Sequence, residues 1–159
     1  MSNYREQWFP LNSNESKRLQ EDCDSLLSAI RHGADELEAD CREQFEAHLK
    51  PLLKKYRNHP FLLELKADFS PLQFADDSDR RILAYQVALQ QARAWEFPTH
   101  TVLMSLAKNY LWLLGDYESA MESMEQARHD LELYGCEREE QLYKKIWGEI
   151  WEEVILNHI

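Results

Sequence analysis

Glycine, proline and cysteine are all scarce in this chain of 159 residues, which contains 4 Gly, 5 Pro and 3 Cys. So few turn-forming residues disfavour a fold of many short strands, because such folds need frequent turns. Cys23, Cys41 and Cys136 are an odd number of cysteines at wide spacing. Neither a disulfide framework nor a zinc site is therefore indicated, and we expect Cys23 and Cys41 to be small core residues.

Long apolar runs are also absent. No stretch approaches the roughly 18 consecutive apolar residues that a membrane-spanning helix needs. The first residues, Met-Ser-Asn-Tyr-Arg-Glu, lack the basic-then-apolar order of a signal peptide. We therefore expect a soluble cytoplasmic protein that does not engage a membrane.

Basic residues are few, and the net charge is −11. Residues 1–114 carry 17 acidic and 14 basic residues, whereas residues 115–159 carry 12 acidic and 4 basic ones. The negative field of the last third repels phosphates, so nucleic-acid binding is disfavoured. A basic protein partner is compatible with this charge distribution.

What the chain does contain is apolar residues at helical spacing, with 44% hydrophobic and 30% charged residues overall. This pattern predicts a single all-α domain over residues 1–159, a helical bundle of about six to seven helices. We divide it into an extended N-terminal arm (1–13), N-terminal helices (14–75) and a C-terminal half (76–159).

The N-terminal helices are expected at residues 14–31, capped within 12–14, and from Asp35 onward. Pro51 should kink or restart the second helix. The basic cluster near its end fits a solvated helix terminus, which we favour, or an anion site. A short helix and an irregular connection follow over residues 59–75, and Asp77 or Ser78 should cap the next helix. The second helix is expected to bury one face, made of Leu37, Cys41, Phe45, His48, Leu49 and Leu52, and the basic cluster is Lys50, Lys54, Lys55 and Arg57.

Four helices are predicted in the C-terminal half, at about 79–95, 99–114, 116–134 and 137–157. The second of these is so apolar that we expect it to be the most buried. The first should bury a stripe of Ile82, Tyr85, Leu89 and Ala92, with Leu83 and Val87 close beside it.

Residues 106–127, Leu-Ala-Lys-Asn-Tyr-Leu-Trp-Leu-Leu-Gly-Asp-Tyr-Glu-Ser-Ala-Met-Glu-Ser-Met-Glu-Gln-Ala, resemble the middle of a tetratricopeptide repeat. Gly115 permits the turn, Tyr117 packs across it, and Ala120 and Ala127 allow close helix approach. Weaker likeness extends over 82–134. Two features depart from the pattern: the usual glycine is replaced near 107–108, and one residue is inserted before Gly115. An unrelated bundle that uses the same hairpin is the alternative.

The resemblance implies a concave helical surface that presents itself to a peptide or partner protein. The family's groove-lining positions fall near Met104, Lys108 and Trp112, although Met104 and Trp112 could instead be core residues. A second candidate surface lies on the last helix, where Trp147 and Trp151 stand one turn apart. Beside these indoles are Glu149, Glu152 and Glu153. That helix either docks a basic protein or closes the bundle.

Signatures of catalysis are missing from the sequence. It has no nucleophile elbow, no phosphate-binding glycine loop, no zinc-binding His-Glu-x-x-His and no Glu-x-x-His pair, so we expect no cofactor or metal. Of the six histidines, His48 alone is predicted on an apolar face. The others are expected at helix ends or on polar surface.

Three hypotheses follow from these observations. We favour a small acidic protein-binding module, not an enzyme, of the physical type of immunity proteins and secretion chaperones. The second is a homo-oligomer with Trp147 and Trp151 at the self-interface. The third is an unrecognised enzyme, which would need a deep pocket gathering His48 or His100 with carboxylates.

Overall fold

The computed structural model describes residues 11–158, which form seven α-helices and no strand. The predicted N-terminal arm lies largely in residues 1–10, outside the described residues. The all-α prediction with six to seven helices is confirmed. The helices are α1 Ser13–Arg31, α2 Asp35–Lys55, α3 Pro60–Asp68, α4 Asp77–Ala94, α5 His100–Leu114, α6 Tyr117–Tyr134 and α7 Glu137–Asn157.

A reciprocal pair of hydrogen bonds starts α1. The Asn12 side chain accepts from the Glu15 backbone N–H at 2.9 Å, and the Glu15 carboxylate accepts from the Asn12 N–H at 3.1 Å. Both donors would otherwise lack a partner inside the helix. Gly33 follows the helix with φ +65°, a left-handed conformation that costs glycine little. The predicted start and end of this helix are both confirmed.

Helix α2 runs through Pro51 without restarting, so the restart prediction is wrong. Proline removes one backbone hydrogen bond, but Leu49 and Leu52 on either side of it are buried, and their packing holds the helix together. Leu37 is 54% exposed and is not part of the buried face.

Asp77 does not cap α4 as predicted but lies inside its first turn. Its Oδ2 atom accepts from the backbone N–H groups of Gln73 and Phe74, at 2.7 and 2.8 Å. These two hydrogen bonds hold the pKa of the Asp77 carboxyl below its ordinary value, although burial opposes them. The carboxylate therefore closes the loop that precedes the helix.

Two hydrophobic cores organise the chain. The N-terminal core is built from α1, α2 and α3, and the C-terminal core from α3 through α7. Helix α3 belongs to both, since Leu62 is buried in the first and Ala67 in the second, each with no exposed surface. The N-terminal core consists of Leu19, Cys23, Leu26, Phe45, Leu49, Leu52, Leu62 and Phe69.

The hairpin of α5 and α6 turns at Gly115, whose φ is +62°. Ala120, Met124 and Ala127 have no exposed surface, so α6 lies directly against α5. The predicted antiparallel hairpin is thus present. Helix α5 buries seven of its 15 residues, more than any other described helix, in agreement with its apolar sequence.

Polar contacts show how successive hairpins stack. Thr101 on α5 donates to Glu64 on α3 at 3.2 Å, and Trp112 on α5 donates to Glu149 on α7. On the other side, Arg93 on α4 donates to Gln126 on α6 at 2.7 Å. Helices α3, α5 and α7 therefore form one layer, and α4 and α6 form a second layer.

Two side chains predicted beside the buried stripe of α4 are on the surface. Leu83 is 59% exposed and Val87 46% exposed, while the stripe Ile82, Tyr85 and Leu89 is buried. Among residues 11–158, α4 packs mainly against α3 and α5, and Arg93 reaches Gln126 of α6. Among the described residues, no helix is long and apolar enough to cross a bilayer.

Candidate protein-docking surface

Trp112 of α5 and Glu149 of α7 meet on the layer formed by α3, α5 and α7. The Trp112 indole is 60% exposed, and its Nε1–H donates to Glu149 Oε2 at 3.3 Å. Lys108, one turn earlier on α5, is also exposed. The alternative that Trp112 is a core residue is wrong.

Met104 does not belong to this surface. It is 2% exposed and lies in the C-terminal core, so its prediction as a groove residue is wrong. The reason is geometric, because each step of four residues overshoots a full helical turn by about 40°. Across the two steps from Met104 to Trp112 the stripe rotates from the core to the surface.

The indoles of Trp147 and Trp151 stack on α7. Their ring centroids are 6.5 Å apart with an interplanar angle of 25°, and Tyr143 meets Trp147 edge-on at 6.4 Å. Trp147 is half-buried against the C-terminal core, whereas Trp151 is 51% exposed. We call Trp147 and Trp151 the tryptophan stack.

The acidic residues beside the stack lie on other sides of α7. Residues 147 and 149 are about 200° apart around the helix, so Glu149 cannot share a flank with Trp147. Glu149 and Glu153 are half-buried, and Glu152 is exposed. The predicted docking residues therefore form two patches, one around Trp112 and Glu149 and one around the tryptophan stack.

Sequence reasoning missed two apolar residues that extend the exposed end of α7. Ile155 is 58% exposed and Leu156 is 65% exposed. Ile155 follows Trp151 by four residues and lies beside it on the helix surface. The spacing of four residues in the sequence could have indicated this apolar patch. However, apolar side chains are also commonly exposed at the ends of helices, where the backbone frays.

Two of the histidines predicted at helix ends or on polar surface, His59 and His100, do lie at helix starts, and both are buried. His100 has no exposed surface, and its Nε2 lies 3.2 Å from Glu139 Oε1. His59, 4% exposed, caps α3 by accepting from the Phe61 N–H at 3.2 Å. The His100 ring is therefore enclosed within the fold.

His48 links the two long N-terminal helices. Its Nδ1 donates to the carboxylate of Asp22 on α1, which is 6% exposed. A buried carboxylate needs such a partner, because unpaired burial is costly. The adjoining pocket, of about 330 Å³, is lined by residues of both helices. This contact explains a histidine on the otherwise apolar face of α2.

Glu139 shows how burial and pairing compete. Burial alone would raise the pKa of its carboxyl, but the contact with His100 and the hydrogen bond from the Cys136 N–H lower it below its ordinary value. Burial raises the pKa of the Cys23 thiol to about 12, so this cysteine is not a nucleophile at neutral pH. No group of three or more His, Cys, Asp or Glu side chains within residues 11–158 is placed to hold a metal.

The basic cluster at the end of α2 is divided. Lys55 forms an ion pair with Glu15 of α1 at 2.9 Å and lies over the Tyr56 ring. Lys50, Lys54 and Arg57 instead line an open groove together with Lys66 of α3. Lys50, Lys54 and Arg57 are all exposed, which agrees with the solvated helix end that we favoured.

Comparison with known proteins adds no identity to this geometry. No family model, no curated protein and no solved structure matches the chain.

Proposed function

We propose that this chain is a non-enzymatic binding module that docks a basic protein partner on the outer side of α7. The tryptophan stack and Ile155 supply apolar contact area, and the carboxylates on the neighbouring sides of α7 steer and orient the partner. Its physical type is that of an acidic immunity protein or a secretion chaperone, which covers a basic surface of another protein.

The observation that carries this proposal is the half-exposed indole of Trp151 beside exposed Ile155. Tryptophan is the residue type most enriched among side chains that dominate binding energy. Residues 146–158 contain three acids, Glu149, Glu152 and Glu153, and no Lys or Arg. A partner with a basic rim around an apolar pocket would match both the charge and the shape of this end of α7.

A tetratricopeptide-like arrangement of α5 and α6 is part of the proposal. Gly115 in a left-handed turn and the buried Ala120 and Ala127 support it. In that arrangement the layer of α3, α5 and α7 is the presenting surface, and the Trp112 contact with Glu149 lies on it. The match of a single hairpin does not by itself establish a role.

The test begins with identification of a partner by affinity capture from the native source and proceeds to titration with both proteins purified. Trp151→Ala should weaken binding at least about tenfold, as expected for an energetically dominant indole. Glu152→Lys should mainly slow association and reduce its dependence on salt. Val87→Ala, an equally exposed apolar position on α4, is the matched control.

Two results would count against the proposal. A purified partner that binds Trp151→Ala and native protein with equal affinity would place the interface elsewhere. A captured partner with an acidic contact surface would contradict the electrostatic part.

A further inference from the structure

An open groove lies between the C-terminal half of α2 and the segment that follows α3. Its volume is about 840 Å³, within the range of roughly 300–1,000 Å³ typical of ligand sites. The apolar lining consists of Phe45, Leu49, Leu53, Phe69 and Pro71. We call it the α2–α3 groove.

Positive charge surrounds this apolar lining. Lys50, Lys54, Arg57 and Lys66 border the groove, against a single acidic residue, Glu46. Within residues 11–158, none of the four basic side chains has an ion-pair partner. A concentration of unpaired positive charge is unexpected in a chain of net charge −11, and it favours an anionic occupant.

The backbone at one end of the groove is constrained. Arg57 and Asn58 adopt left-handed conformations, with φ of +49° and +55°, although neither is glycine. Such conformations cost on the order of 1 kcal/mol or more per residue. Both residues line the groove. The unfavourable backbone conformation therefore occurs at the point where Arg57 contributes its positive charge to the border of the groove.

The groove calls for an occupant with apolar anchors flanked by carboxylates, and the chain itself carries one. Near the end of α7, Trp151 and Ile155 are exposed one turn apart, and the exposed Glu152 lies about 60° around the helix from Ile155. A helix that lays its apolar side chains at i and i+4 into a groove is a common mode of recognition. We propose that the α2–α3 groove of one copy receives the exposed end of α7 from a second copy.

This contact joins two different surfaces and is therefore head-to-tail. Each copy in a pair keeps one free groove and one free α7, so association continues into short chains unless a ring closes. It differs from a twofold interface in which two tryptophan stacks face each other. Mutual repulsion between copies of charge −11 opposes assembly, and we expect dissociation constants in the micromolar range or weaker.

Self-association and the docking of a basic partner would use the same end of α7, so the two compete. The inference does not rest on the proposed function, because the α2–α3 groove takes no part in the proposed docking of a basic partner on α7. Charge reversal in the groove tests self-association alone, whereas Trp151→Ala affects both.

The experiment is sedimentation velocity on the full chain from about 1 μM to 1 mM, a range that covers the expected affinity. Native protein should show concentration-dependent growth of the sedimentation coefficient. The groove variant Lys50→Glu with Lys54→Glu, and the α7 variant Trp151→Ala with Ile155→Ala, should each remain monomeric. Lys17→Glu with Arg31→Glu, two exposed positions on α1, imposes the same change in net charge and should associate much as native protein does.

Mixing the two monomeric variants gives the decisive measurement. The groove variant retains a native α7 and the α7 variant retains a native groove, so together they should form a one-to-one dimer that grows no further. A twofold contact between tryptophan stacks predicts instead that the groove variant dimerises by itself and that no mixed dimer forms.

Three outcomes would overturn the proposal. These are native protein that stays monomeric throughout the range, groove reversal that leaves association unchanged, and a mixture of the variants without dimer. All six substituted positions are exposed, and circular dichroism checks that each variant is folded. If Lys50→Glu with Lys54→Glu does not fold, the single substitution Lys54→Gln replaces it. This milder change should still reduce self-association several-fold.

Discussion

The two cores of this protein differ in size and in how they are held together. The N-terminal core has eight buried residues and the C-terminal core 17, so most of the apolar burial lies in α4–α7. Polar contacts connect helices around both cores, such as His48 with Asp22 beside the smaller core and Arg93 with Gln126 beside the larger one. The larger core adds the close approach of small and apolar residues along α5 and α6.

The surfaces above the two cores differ in charge. The N-terminal half carries a groove bordered by basic residues, and the C-terminal half ends in an acidic helix with exposed indoles. The α2–α3 groove and the end of α7 therefore offer opposite charges to partners, while α3 joins the two halves into one fold.

The largest effects should come from emptying each core in turn. Phe45→Ala in the N-terminal core should lower the free energy of unfolding by about 3–5 kcal/mol, and Met124→Ala in the C-terminal core by about 2–5 kcal/mol. Both side chains are at most 2% exposed. Urea unfolding followed by far-ultraviolet circular dichroism measures both losses.

The same unfolding experiment tests whether the cores are one cooperative unit. The described tryptophans, Trp95, Trp112, Trp147 and Trp151, all lie in the C-terminal half. Because α3 contributes to both cores, tryptophan fluorescence and circular dichroism should give coincident transitions in native protein and in Phe45→Ala. An early circular-dichroism phase with unchanged fluorescence would show two independently folding halves.

Removal of the His48 ring should have the next largest effect. His48→Ala leaves the buried Asp22 carboxylate without that partner, at a cost of about 1–3 kcal/mol. The exposed neighbour Gln44→Ala is the control and should change stability little. Chemical denaturation at pH 7 compares the variants, and equal stability of His48→Ala and Gln44→Ala would contradict a stabilising role for this pair.

Two glycines of the C-terminal half should respond in opposite directions. Gly115→Ala should destabilise by about 1–2 kcal/mol, because its φ of +62° disfavours a side chain although the added methyl meets no atom. Gly148→Ala, inside α7 and equally free of contacts, should stabilise by about 0.5–1 kcal/mol. Thermal unfolding of both variants measures the contrast, and a change of the same sign in both would contradict this account of the turn.

The smallest effect should be the pH dependence of stability that Glu15 contributes in the N-terminal half. The Tyr56 hydroxyl, which donates to Glu15 at 2.5 Å, and then Lys55 lower the pKa of Glu15 from 4.5 to about 2. The depressed pKa adds stability that is fully present above about pH 4.5 and is lost as the pH falls towards 2. Native protein and Glu15→Gln should therefore converge in stability between pH 5 and about 2. A difference that persists at the acid limit would show that pairing is not the cause.

Much of the fold could be predicted from the sequence because its signals are local. Asn12 and Asp116 mark helix starts through side-chain hydrogen bonds to residues three positions on. Gly33 and Gly115 mark helix ends through their left-handed backbone. The period of apolar residues then fixed which sides of α4 and α6 are buried, as at Tyr85 and Met124.

The candidate surface was harder to predict, because exposure depends on which helices happen to cover a residue. Met104 and Trp112 have the same spacing pattern, yet one is in the core and the other is 60% exposed. The α2–α3 groove joins Lys50 and Lys54 to Lys66 across a chain reversal, and no local pattern connects them.

By itself the sequence determined the helices, their caps and turns, and the concentration of acidic residues in the last third, since these follow from neighbouring residues and composition. Only the tertiary structure decided that Asp22 pairs with His48, that His100 is enclosed beside Glu139, and that four basic side chains surround one apolar groove. Each of these joins residues on different helices. Their distances depend on how whole helices pack, and packing is set by the sum of many weak contacts rather than by any one stretch of chain.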